Sequence, residues 1–168
     1  MREPIGREEL LASWRDARES ALAAFADVDD RDRVPWGGRR MTARSLATAR
    51  IMETWAHGLD CFAAFDVPPV DTARLRHVAW LGWKTLPHGF AIAGVVPVAP
   101  PTSLHVELVS PDSTALWSYG PPSSPDVIRG QAGEWCRVVT HRLRCRAPQL
   151  EAQGELAQQS ISVARAFL

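Results

Sequence analysis

The sequence has no excess charge, no paired-cysteine motif and a single tyrosine, and each shortage narrows what the chain does. Nineteen basic residues balance nineteen acidic ones, which is not the balance of a general nucleic-acid binder, whose phosphate contacts demand a basic surface. Basic charge is concentrated only locally, at Arg137, Arg142, Arg144 and Arg146, a stretch that reads either as a small basic patch or as a solvated helix face and loop. The three cysteines, Cys61, Cys136 and Cys145, are odd in number and show no CxxC spacing. That argues against a disulfide framework and for a reducing, cytoplasmic setting. The opening MREPIGREELL carries charge from its second residue and lacks the apolar core of a signal peptide. Pro87 to Val106 has no Lys, Arg, Asp or Glu, yet prolines 87, 97, 100 and 101 break it. It reads as a buried helix end running into a loop, not as a membrane span. No Gly-rich phosphate loop, nucleophile elbow or Ser/His/Asp set is legible.

What is present is the composition of a globular protein, 46% apolar and 23% charged over 168 residues. Leu10, Trp14, Ala17, Ala21 and Phe25 recur at helical spacing and mark a first helix from Gly6 to about Phe25 with a packed face. Asp27 to Arg40 reads as a charged segment and a loop with Trp36 embedded in it. A second helix runs from about Thr42 to Phe65, capped by Thr42 or Ser45 and ended by Asp66-Val67-Pro68-Pro69. Asp71 or Thr72 caps a third helix, which places Leu75, Val78, Ala79 and Gly82 on one side. The period then changes to two. Leu104–Val109 and Thr114–Tyr119 predict a hairpin, Asp126–Arg129 a short strand, Gly130 to about Arg144 a helix, and Gly154–Phe167 the last helix. The fold class expected is α+β.

The chemistry is densest in the second helix. At about 100° per residue, Arg50, Glu53, His57 and Asp60 share one face, with Ile51, Trp55, Leu59 and Phe62 opposite. Glu53 and His57, four apart, can share a divalent, zinc-like metal, but such a site normally needs a third protein ligand. The plain alternative is a solvated helix face on which Arg50 neutralises Glu53. Asp60 is placed to orient His57 from behind. Of the other histidines, His77 reads as a satisfied core residue and His105 as an outward strand residue, while Cys136 reads as a buried small hydrophobe. Seven tryptophans are the unusual count. Trp55, Trp80 and Trp83, with Trp36 from the loop, either wall a pocket for an apolar ligand or fill the core.

Residues 50–60 (R-x-M-E-T-W-A-H-G-x-D), 71–79 (D-T-x-R-L-R-H-V-A), 106–112 (V-E-L-V-S-P-D), 135–142 (W-C-R-V-V-T-H-R) and 164–167 (A-R-A-F) together resemble actinobacterial proteins related to mycothiol-dependent maleylpyruvate isomerase. The resemblance implies part of a DinB-like helical bundle over residues 1–66, a helix pair, followed by a sterol-carrier-like α/β domain over residues 71–168. It puts Glu53 and His57 at two of the family's three metal-ligand positions, with Arg50 and Asp60 orienting them. The family's third ligand is a histidine on an earlier helix. The expectation here is therefore a fragment, or a homodimer in which a second copy covers the bare helix face.

The activity implied is thiol-dependent: mycothiol or another small thiol adds to an activated double bond of a small unsaturated substrate, giving cis–trans isomerisation or thiol transfer. Two alternatives stay open. One is a metal-independent isomerase or cyclase of secondary metabolism with a Trp-lined pocket; the other is a non-catalytic binding or interaction module.

Overall fold

The computed structural model of the chain describes residues 6–36, 39–143 and 149–166. Residues 37–38, Arg144, Cys145, Arg146 and Phe167, all used in reading the sequence, lie outside them. The described residues form six α-helices and two sheets, a mixed α+β protein. They group into two compact units, residues 1–47 and 48–168.

In the first unit, α1 spans Arg7–Ala26, with Glu8 and Glu9 in its first turn, where they suit the positive helix end. Its expected packed face is not packed. Leu10 and Trp14 are each 58% exposed, and the helix has no buried residue. The apolar period shows that the helix has a side to bury; it does not supply the surface that buries it. The segment read as a loop contains a β-hairpin instead, β1 (Arg33–Trp36) paired antiparallel with β2 (Arg39–Thr42). The register pairs Trp36 with Arg39 and Arg33 with Thr42. The hairpin leads into α2, Ala43–Ala64. Thr42 Oγ1 accepts from the Ser45 N–H at 3.2 Å, the expected cap.

In the second unit, α2 buries Met52, Ala56 and Leu59, with Ile51 and Trp55 flanking. Phe62, placed on that stripe by periodicity, is exposed. The unit continues with α3 (Leu75–Lys84), α4 (Leu86–Ala93), a 3₁₀ turn at Pro101–Ser103, β3 (His105–Val109) and β4 (Leu116–Tyr119). Then come β5 (Val127–Gln131), α5 (Ala132–Val139), β6 (Leu150–Gln153) and α6 (Glu155–Val163). The sheet order is β4-β3-β5-β6, with β3 parallel to β5 and the other pairs antiparallel. Leu75, Val78, Ala79 and Gly82 are the buried face of α3, as their spacing predicts. They meet α5, where Trp135 is fully buried and its ring N–H donates to Ala79 O at 3.1 Å. Full burial of such a side chain is worth about 1.5–3 kcal/mol, and the hydrogen bond removes the cost of hiding its polar atom.

Several expectations change here. The helix begun near Gly130 ends at Val139, because Thr140 turns its hydroxyl back to Cys136 O and His141 takes a left-handed φ of 57°. β6 arises where no element was read; four residues are too few for periodicity to register. Asp71 caps nothing, being taken up by Arg137. His77 is exposed, whereas His105, on the central strand β3, is buried at 3% exposure. Cys136 is fully buried, as expected, and burial pushes its thiol pKa well up.

Candidate functional site

The polar face of α2 is ordered by contacts within the helix and one from far along the chain. His57 lies with Nε2 3.2 Å from Glu53 Oε2 and Nδ1 3.3 Å from Asp60 Oδ2, the i,i+4 and i,i+3 neighbours that a helix turn provides. Glu53 thus meets His57, not Arg50, whose exposed side chain has no ion-pair partner among the described residues. Asp60 has a second partner. Arg142, just after α5, donates from Nε to Asp60 Oδ1 at 3.3 Å and from Nη2 to Oδ2 at 3.0 Å. Its Nη1 is fixed by Thr140 O at 2.6 Å. This forked hydrogen bond, helped by His57, holds the Asp60 carboxyl below its usual pKa.

One turn inward, Trp55 Nε1 donates to Asp71 Oδ1 at 3.3 Å, and the Arg137 guanidinium sits over the Trp55 ring with 5.4 Å to the centroid. Arg137 also grips Asp71 with two hydrogen bonds, at 2.6 and 3.1 Å. Gly133 makes room for this clasp, since a Cβ there would fall 2.1 Å from Asp71 Oδ2 and 2.7 Å from Arg137 Nη1.

Asp60, Asp71, Gly133, Arg137 and Arg142 border two clefts. The first, about 380 Å³, lies between the last turns of α2, the loop over 66–69 and the end of α5. Leu59, Phe62, Val67 and Pro68 give it apolar walls, and Asp60, Asp66, Arg137 and Arg142 its polar ones. The second, about 470 Å³, is more polar, with Asp71, Gln131, Glu134 and Gln149, and shares Pro69 and Arg137 with the first.

The expected site residues are brought together only in part. Glu53, His57 and Asp60 form one chain of contacts. None of the four tryptophans lines either cleft. Trp36 is on β1 in the first unit. Trp80 is 40% exposed, and Trp83 donates its ring N–H to Leu104 O at 3.0 Å and packs against the core. Trp55 is engaged with Arg137 and Asp71. Arg137 and Arg142 escaped the reading as cleft residues, because their partners lie 66 and 82 positions away.

A metal on Glu53 and His57 requires a third donor. Among the described residues no group of three or more His, Cys, Asp and Glu side chains is placed to hold an ion. The remaining nitrogen of His57 turns to Asp60, and Asp60 is held by a guanidinium whose charge opposes a cation. The described residues therefore offer two donors here, which do not make a site.

Residues 1–62 match the family model of the mycothiol maleylpyruvate isomerase N-terminal domain. That is the family the sequence resembles. The matched stretch carries Glu53, His57 and Asp60, while Arg137 and Arg142 lie beyond it. Uncharacterized proteins of two Mycobacterium tuberculosis strains, CDC 1551 / Oshkosh and ATCC 25618 / H37Rv, are each 39% identical to the chain over 163 residues, 97% of its length. The chain spans 62% of the length of those relatives. A shorter similarity, 31% over 93 residues, covers 55% of the chain and 48% of Bcl-2-binding component 3 of Rattus norvegicus, too little of either to show a common family. No solved structure matches. No described helix is long and apolar enough to cross a membrane.

Proposed function

We propose that the chain belongs to a small-molecule enzyme in which a low-molecular-weight thiol of the mycothiol kind adds to an activated double bond in the first cleft. The observation that carries this reading is the cleft's lining. Apolar walls suit an unsaturated carbon skeleton, and two guanidinium groups suit the carboxylate or carbonyl oxygens that activate it. The family match on the helix that forms one wall supports the thiol.

In this scheme the thiolate sulfur forms a bond to the β-carbon of a double bond conjugated to a carbonyl. The π electrons move to the carbonyl oxygen, giving an enolate. Rotation about the former double bond follows, and collapse of the enolate expels the thiolate and leaves the trans isomer; capture of a proton at the α-carbon instead gives the thiol adduct. Arg142 meets the developing oxygen charge. It uses three N–H groups on Asp60 and Thr140, out of the five a guanidinium carries. Arg137, held by Asp71 and Trp55, presents a second positive edge. Asp60 positions Arg142, while Arg50, exposed on the helix that forms one wall, acts only at longer range. No step is routed through a metal.

The same reading takes residues 1–66 as a DinB-like helical segment and 71–168 as a sterol-carrier-like α/β domain. It rests on two long helices in the first part and a four-stranded sheet with helices in the second. It also takes the working place to be the cytoplasm. The test is the thiol-dependent change in absorbance of a cis-unsaturated keto acid. Turnover that requires the thiol and falls at least tenfold in Arg142→Ala is expected. Neither turnover nor saturable binding of such an acid by the folded chain would sink the proposal.

A further inference from the structure

Among the described residues, three buried side-chain polar atoms without a hydrogen-bond partner belong to the junction of α4 and α6: His88 Nε2 on α4, Ser160 Oγ on α6 and Arg165 Nε just beyond it. The junction is closely sewn. Thr85, the residue before α4, donates its hydroxyl to Arg165 O, and a Cβ at Gly89 would fall 2.6 Å from Val163 O. His88 is three residues from Thr85 and so shares that side of the helix. Ser160 is fully buried, one turn before Val163. A helical serine commonly turns its hydroxyl back to a carbonyl of the preceding turn, as Ser162 does to Gln159 O at 2.7 Å, but Ser160 does not.

Arg165 is the group that decides what belongs there. It is half-buried and forms no ion pair among the described residues. Neither α4 nor the stretch from Leu156 to Ala166 contains an aspartate or glutamate, so the two segments that meet here bring no counter-charge. A charge drawn out of water without a partner is costly, and buried polar groups are as a rule paired by protein, water or an ion. We infer that Arg165, with Ser160 and His88, binds a small oxyanion at the α4–α6 junction. The guanidinium, the hydroxyl and the Nε2–H tautomer of the ring all donate hydrogen, and guanidinium suits the oxygens of a carboxylate or phosphate. A cation is repelled by the same set, and water satisfies the hydroxyl and the ring without neutralising the charge. None of the three residues lines either cleft. The inference therefore does not depend on the proposed reaction, and its readout is binding.

The experiment titrates inorganic phosphate, and in a parallel series acetate, into the full chain at an ionic strength held constant with sodium chloride. Heteronuclear NMR follows the Arg165 Nε–H resonance, assigned by its absence from Arg165→Lys, and thermal melts run alongside. The expected result is a saturable shift of that resonance together with a rise in melting temperature. Ser160→Ala should weaken binding roughly tenfold, the loss of one hydrogen bond to a charged group, with circular dichroism unchanged. Arg165→Met should lose the rise in melting temperature, because it removes the site along with the uncompensated charge. A response to phosphate alone assigns a phosphate group as the ligand, and a response to acetate alone a carboxylate. No saturable shift with either anion, binding undiminished in Ser160→Ala, or a melting temperature that still rises in Arg165→Met would each overturn it.

Discussion

Arg142 and Asp60 meet through two parallel hydrogen bonds, 3.3 and 3.0 Å long, that join the end of α5 to the polar face of α2. The pair is half in water, with side-chain exposures of 23% and 53%, so it contributes little to stability, about 0–1 kcal/mol. Its value is in aim. Arg142→Met should therefore shift the denaturation midpoint only slightly while lowering affinity for a carboxylate ligand of the first cleft at least tenfold. Calorimetric titration together with urea unfolding separates the two effects. Loss of stability without loss of affinity would remove Arg142 from the site.

The acid limb of the stability curve follows from carboxylates with lowered pKa. Glu107 is held below its ordinary 4.5 chiefly by the hydrogen bond from Arg129, and Asp60 below 3.8 chiefly by that from Arg142. A folded-state pKa below the unfolded one means the unfolded chain binds more protons between the two values. The stabilisation is complete above the unfolded pKa and is lost as pH falls through the folded one. Thermal midpoints should thus be flat down to about pH 5 and then fall toward pH 3, and Glu107→Gln should flatten part of that fall. An unchanged acid slope in Glu107→Gln would contradict the assignment.

Thiol labelling distinguishes the two described cysteines. Cys61 is exposed on α2, whereas Cys136 is buried beneath α3, with Sγ 3.6 Å from Leu75 O. In a Cys145→Ser background, which removes the thiol outside the described residues, one cysteine should react with a chromogenic disulfide at pH 8. The second should react only after unfolding. Two comparably fast thiols would show that the α3–α5 contact is open in solution.

In that contact Gly82 packs directly against Val139. A Cβ at Gly82 would fall 2.6 Å from Val139 Cγ1 and 2.9 Å from Cγ2. Gly82→Ala gains about 1 kcal/mol of helix propensity but overpacks the contact, at a cost of about 1–3 kcal/mol. A small net destabilisation is expected from urea melts. Val139→Ala in the same chain should cost less than it does alone, because the new methyl fills the space. Simple additivity of the two substitutions would show that the helices have moved apart.

The fold was legible wherever one residue's neighbours lie a few positions away. The buried side of α3, the cap at Thr42 and the β3–β4 hairpin all follow from local spacing. The β1–β2 hairpin was not, because Arg33, Pro35, Arg39 and Arg40 give it no alternation of apolar and polar residues. His105 misled for another reason: alternation says which residues share a face, not whether the far face is covered. The Glu53–His57–Asp60 ladder was readable because a helix turn makes it. Arg142 and Arg137 were not, since their placement depends on how α5 packs, and no periodicity carries that. The tryptophans were an argument from quantity, and Trp135, fully buried, absorbs more of the core than any of the four assigned to a pocket.

Position 133 shows how a constraint can fall on a residue with no chemistry of its own. The space a side chain would take there is filled by the Asp71 carboxylate and the Arg137 guanidinium. In a library randomised at that codon and selected for folded protein, glycine should be the survivor, and every alternative must first evict an ion pair whose arginine lines both clefts. A scan for intolerant positions would thus mark the clefts by a blank as clearly as by any charged group around it.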